Sequence, residues 1–185
     1  MNGVVSSGYY SDALDRPTQM INASNQGSVK SQTTFSYDDT NRIVTSTSDL
    51  NTFNDQYPLK AQTLYDGLGR TIETRQYETA SNYIAVQKVP FLVLQDGAAW
   101  FQASKSSNPF RPYLGEQAVW STSLADSLGR VVKVKTPDNA VVTTSYAGNT
   151  VTASDQTAKQ RKSVIDALGR LKDVYEAPND SSNEL

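Results

Sequence analysis

The residues of this chain that could do chemistry are few in kind. None of its 185 residues is cysteine or histidine. That excludes disulfides, Cys/His zinc sites, a thiol nucleophile and an imidazole base. Carboxylates, Lys, Tyr, Ser and Thr remain, and their most ordered arrangement is an Asp followed four residues later by an Arg. It occurs as Asp12/Arg16, Asp38/Arg42, Asp66/Arg70, Asp126/Arg130 and Asp166/Arg170. An acid beside an anion-binding guanidinium suits a hydrolase, yet paired glycosidase carboxylates must stand at a fixed separation across a cleft. Recurrence along one chain argues instead for a structural use. Ser and Lys are plentiful, but no Ser/Lys dyad stands out from that background, so a non-catalytic chain without cofactor or metal is expected.

Other candidates weaken on inspection. Asp49-Leu50-Asn51-Thr52-Phe53-Asn54-Asp55 offers oxygen ligands for calcium but lacks the glycine and closing glutamate of an EF-hand loop, so a solvated loop is favoured. Gly67-Leu68-Gly69 is too short for a phosphate cradle, and no helix is expected after it. Trp100, Phe101, Phe110, Tyr113 and Trp120 crowd together in sequence. Exposed, they could form a stacking platform for carbohydrate; their more ordinary use is to pack one face of a sheet.

The elements that must hold these residues are strands. The chain has 21 Ser, 18 Thr, 12 Asn and 12 Gln against 17 Lys plus Arg and 19 Asp plus Glu. Short polar side chains compete with helix hydrogen bonds but sit well on an open sheet face. A net charge of −2 supplies no field for nucleic acid. Val89 to Leu94, the longest apolar run, is far too short to span a bilayer. Met1 to Tyr10 has neither the basic nor the apolar region of a secretory leader. By length alone, about 70% of the extended-chain surface should leave water on folding, enough for a core.

The Asp-Arg element lies between strand-like runs and reads as a hairpin turn. Gly69, Gly129 and Gly169 stand where the chain most needs positive φ, with Asp15 and Asn41 at the equivalent place in the two weaker copies. Turn signals about every ten residues leave no room for crossover helices, so the sheet should be antiparallel. Strands are expected near 8–11, 16–22, 29–37, 42–48, 59–66 and 70–77, with Pro17 demoting its strand to an edge or bulge. Apolar residues follow the motif Arg at +1 and +4, as in Val131 and Val134 or Leu171 and Val174. That spacing requires a bulge or two partly covered faces. The expected organisation is hairpin repeats over 1–82, an irregular aromatic and proline-containing segment over 83–120, further hairpins over 121–178 and a disordered tail over 179–185. Gln95-Asp96-Gly97-Ala98 is read as a degraded turn inside the irregular segment.

Tyr65-Asp66-Gly67-Leu68-Gly69-Arg70, with weaker relatives Tyr37-Asp38-Asp39-Thr40-Asn41-Arg42 and Ser11-Asp12-Ala13-Leu14-Asp15-Arg16, resembles the YD repeats of rearrangement-hotspot (RHS) proteins. These are bacterial relatives of the teneurin extracellular shell. The likeness runs from about Tyr10 to Glu176 and weakens between Val89 and Ser107. It departs at Ala125 and Ile165, which replace the Tyr, and no stretch resembles the family's aspartyl self-cleavage motif or a toxin domain. The resemblance implies an all-β fold, a curved antiparallel sheet of YD-type hairpins forming part of a shell wall around a toxin or other cargo. It also implies a secreted or cell-surface location within a larger parent protein. A partial wall leaves open edges, so association with further repeats or identical chains is expected, with carbohydrate adhesion through the aromatics as the alternative.

Overall fold

The computed structural model describes residues 3–27, 29–50, 53–55, 58–95 and 99–176, with backbone alone at 94, 95, 99 and 100. The tail over 179–185 lies outside them. The described chain is all-β. The strands are β1 (Ser7–Tyr9), β2 (Gln19–Asn22), β3 (Ser31–Asp38), β4 (Ile43–Ser48), β5 (Leu59–Tyr65), β6 (Thr71–Tyr77) and β7 (Tyr83–Gln95). They continue as β8 (Ala99–Ser107), β9 (Trp120–Ala125), β10 (Val131–Lys135), β11 (Val141–Ala147), β12 (Thr150–Ser154), β13 (Gln160–Ile165) and β14 (Leu171–Glu176). Strand order follows chain order, so every link is a hairpin and no crossover is needed. A single 3-10 turn at Pro112–Leu114 is the one helical element among the described residues, and no helix there is long and apolar enough to cross a membrane.

The chain forms two units, Met1–Lys88 with Pro109–Ala118, and Val89–Asn108 with Val119–Leu185. In the first, β1 to β6 and the start of β7 pair in sequence. Proline does not demote β2: Pro17 lies ahead of the strand, which sits between β1 and β3. In the second, β8 to β14 do the same.

The 83–120 segment is more regular than its composition suggests. It holds β7 and β8, the longest strands, and among its described residues the stretch after Ser107 leaves strand conformation. Pro90 is accommodated within β7. In the first unit the returning segment meets the start of β7, where Ala85 and Phe110 exchange backbone hydrogen bonds of 2.8 and 3.0 Å. Phe110 is buried there and Ala85 almost wholly so.

The +1/+4 spacing is resolved by bulges. Val131 faces Ala125, but the next paired residue is Lys133, opposite Leu124. The same skip occurs between Leu171 and Asp173 and between Thr71 and Glu73. Each signature hairpin thus carries one unpaired residue directly after its first strand pair. The extra residue restores Val134 to the face of Val131.

The expected core is not found among the described residues: their buried apolar set is Ile21, Ala23, Ala85, Ala103 and Phe110, and no large side chain is wholly enclosed. Length sets only how much surface could be buried; a core also needs a second layer against the first. Pairing registers in the second unit place Val131, Val134, Val142, Tyr146, Val151, Ala153, Ile165 and Val174 on one face. Lys133, Lys135, Thr143, Thr152 and Lys162 lie on the other, together with Leu124, Val141, Val164 and Tyr175. Apolar residues therefore stand on both faces of that unit, and most of them are half-buried.

Because Phe110 is the one large aromatic buried among the described residues, Phe110→Ala should cost the first unit about 3 kcal/mol. Urea unfolding of the variant checks this, and an unchanged midpoint would show that the returning segment contributes nothing to stability.

Candidate functional site

The repeated Asp-Arg element builds the same object each time. In the hairpins after β5, β9 and β13, the N–H of Asp66, Asp126 or Asp166 donates to the carbonyl of its Arg at 2.8–2.9 Å. The N–H of the turn glycine donates back to the Asp carbonyl at 2.9–3.1 Å. One carboxylate oxygen then accepts the N–H groups of the Leu two residues on and of the Arg, all at 2.8–2.9 Å. The second oxygen accepts the Arg Nε–H at 2.7–2.8 Å. Gly69, Gly129 and Gly169 have φ of 76°, 77° and 78°, a region where a Cβ is strained even in open space.

These bonds stabilise the charged carboxylates. The Arg16 side chain and then the Leu14 N–H hold the Asp12 carboxyl at about 2, against an ordinary 3.8. Backbone donation from Arg70 and Arg170 leads the lowering at Asp66 and Asp166. At Asp126 desolvation pushes upward, and the Arg130 side chain with two backbone donors outweighs it. Each carboxylate is thus engaged on both oxygens by groups of its own turn.

Two further turns share the backbone pattern. Asp155 donates to and accepts from its turn in the same way, with Ala158 at φ 63° and Lys159 in the Arg place. Thr136 to Ala140 repeats the backbone bonds with Asn139 at φ 69°. Neither turn is recognisable in the sequence as the same structure: Ala158 and Lys159 replace Gly and Arg in one, and Thr136, Asn139 and Ala140 replace Asp, Gly and Arg in the other. At Asp155 the signal was an Asp four residues before a basic residue.

The weaker copies depart in instructive ways. At Asp12 the carboxylate bonds survive, with Asp15 at φ 58°. At Asp38 the positive φ falls on Arg42, at 57°, and not on Asn41. This loop pairs Asp38 directly with Ile43, and Asn41 instead caps the Asp38 carboxylate through both its N–H and its amide. Arg42 consequently does not pair with Asp38; its Nε–H donates to the Tyr65 carbonyl at 3.3 Å.

Such sideways links recur. Tyr65 N–H donates to the Arg42 carbonyl, and Ile165 N–H to that of Asn149, whose amide donates to the Ile165 carbonyl at 2.9 Å. Arg16 spans Asp12 and Asp39, with contacts of 2.6 and 2.9 Å to Asp39. Its guanidinium lies 4.0 Å from the ring centre of Tyr37, whose hydroxyl donates to the Pro17 carbonyl at 2.8 Å. Arg130 and Tyr146 repeat this: 4.3 Å to the ring, and the hydroxyl to the Val131 carbonyl at 3.2 Å. In both cases the Tyr clamps the residue directly after the motif Arg.

The motif leucines do the opposite of packing. Leu68, Leu128 and Leu168 are 78%, 74% and 77% exposed at the hairpin tips. The aromatic candidates are divided between the two units. Phe110 is buried in the first unit, where Tyr113 donates its hydroxyl to Glu78 at 2.8 Å beside the Arg111–Glu78 ion pair. Phe101 and Trp120 are half-buried at opposite ends of the β8/β9 pair in the second unit. The Trp100 side chain and the 95–98 turn lie outside the described residues, apart from the backbone of Gln95. In the proposed calcium loop, of which 51 and 52 also lie outside, Asp49 accepts the N–H groups of Gln32 and Asp55. No group of acidic side chains suited to a metal ion occurs among the described residues.

No family model matches the chain, and no curated protein matches it.

The depressed carboxyl values fix the sign of a pH effect. Their contribution to stability is complete above the unfolded value near 4 and is lost as pH falls through the folded values, for Asp12 between 3.8 and about 2. Melting temperatures followed by circular dichroism from pH 6 to 2 should fall over that window, and Asp12→Asn should flatten the fall. Gly129→Val should cost about 1–2 kcal/mol through the left-handed conformation. An unaltered melting temperature in that variant would refute the strain at this position.

Proposed function

We propose that this chain is a non-catalytic structural segment, a stretch of repeat wall like that of RHS shells. It would be exported or surface-displayed within a larger protein and join further repeats or identical chains through its sheet edges. The observation that carries this reading is the return of one turn geometry, to within about two tenths of an ångström in its main hydrogen bonds, at β5/β6, β9/β10 and β13/β14. A weaker copy, at β1/β2, keeps the carboxylate bonds, so copies in which the Asp holds its Arg recur every four strands. Such regularity is what a wall of stacked units requires and what a catalytic site, built once, does not. The face of the second unit that carries Val131, Val134, Tyr146, Val151 and Val174 is the surface that would meet an enclosed toxin or other cargo.

Multi-angle light scattering on the isolated chain tests the reading. Association that grows with protein concentration is the expected result, and a monomer at every concentration overturns it. A glycan array is expected to show no binding. Carbohydrate binding lost on Trp120→Ala would instead favour adhesion.

A further inference from the structure

The outer edge of β14 has no paired strand among the described residues, and its backbone directions can be deduced from its neighbours. Ile165 N–H donates to Asn149, on the β12 side. Residues of an antiparallel strand alternate between their two neighbours, so Ser163 also faces β12 while Val164 and Lys162 face β14. Asp173 and Tyr175, opposite those two, point inward to β13. Val174 and Glu176, opposite Ser163 and Arg161, therefore present their N–H and C=O groups outward.

We propose that this edge pairs with the same edge of a second copy of the chain, antiparallel about a two-fold axis at Val174. This rests on the self-association read above and says which edge performs it and in what register. With Val174 opposite itself, the two outward groups of each copy meet as a hydrogen-bonded pair. Lys172 then faces Glu176 of the second copy at both ends, and Asp173 faces Tyr175. Lys172 and Glu176 have side chains 67% and 50% exposed, so both are accessible to a neighbour. Moving the axis to Glu176 would oppose two carboxylates, and moving it to Lys172 would oppose two ammonium groups and leave half of the strand unpaired. A head-to-tail contact is poorly matched, since β1 offers Ser7–Tyr9 against the six residues of β14. The symmetric pairing closes at two copies.

Sedimentation velocity over a concentration series should show a monomer–dimer equilibrium that weakens as salt is raised. Val174→Pro removes an outward N–H that β13 does not use and should abolish the dimer with the circular dichroism unchanged. Lys172→Glu should weaken it about tenfold by opposing like charges, and Lys172→Glu with Glu176→Lys should restore it. If Val174→Pro fails to fold, the charge pair decides alone. Association indifferent to both changes would overturn this pairing while leaving self-association standing. A wild-type chain that stays monomeric would overturn both.

Discussion

The structure depends on a carboxylate that closes a five-residue turn from within. Each signature Asp collects two backbone N–H groups on one oxygen and a guanidinium on the other, fixing the turn before any distant part of the chain is involved. The bulge that follows sets the phase of the next strand, and the Arg is held where a neighbouring turn or Tyr ring can meet it. A surface ion pair by itself contributes little. Here it is one of several bonds that act together to fix register, which is the quantity a sheet without a second layer most needs.

Among the described residues few side chains are enclosed, and this explains the unusual chemistry of the strand faces. Tyr and Phe rings that a sandwich would bury are covered by cations instead: Arg16 on Tyr37, Lys60 on Tyr77, Arg75 on Tyr83, Arg130 on Tyr146 and Lys162 on Tyr175. The long stems of Lys and Arg shield apolar surface while their charged ends stay wet. Gln and Thr add hydrogen bonds between strands, as where Tyr77 donates to Gln62 and Gln62 to Thr45. The excess of short polar residues is thus the composition of a sheet with both sides near water.

Strand identity and turn position were legible because both are local. Asp and Gly at fixed offsets name the turn, and Thr, Val and Tyr name the strands beside it. What escaped was non-local. Tyr37 lies 21 residues after Arg16 and Tyr146 only 16 after Arg130, because the intervening hairpins differ in length. No fixed spacing could reveal the shared clamp. The shift of positive φ from Asn41 to Arg42 depends on how the loop closes, which residue preference alone does not determine. Pro90 and the cluster of aromatics made 83–120 look irregular, yet it holds the two longest strands. The missing core could not be read from length, since length is silent on how many layers a chain makes.

The four-strand interval has a consequence for how such a chain can change. An even number of antiparallel strands returns the backbone to its starting direction, and within each unit the signature turns consequently fall at the same ends of the strands. A genetic duplication or loss of one whole interval would leave every remaining side chain on its original side and every turn at its original end. Recombination between copies can therefore lengthen or shorten the array without any redesign of what remains, whereas an exchange that inserted one odd strand would reverse all that follows.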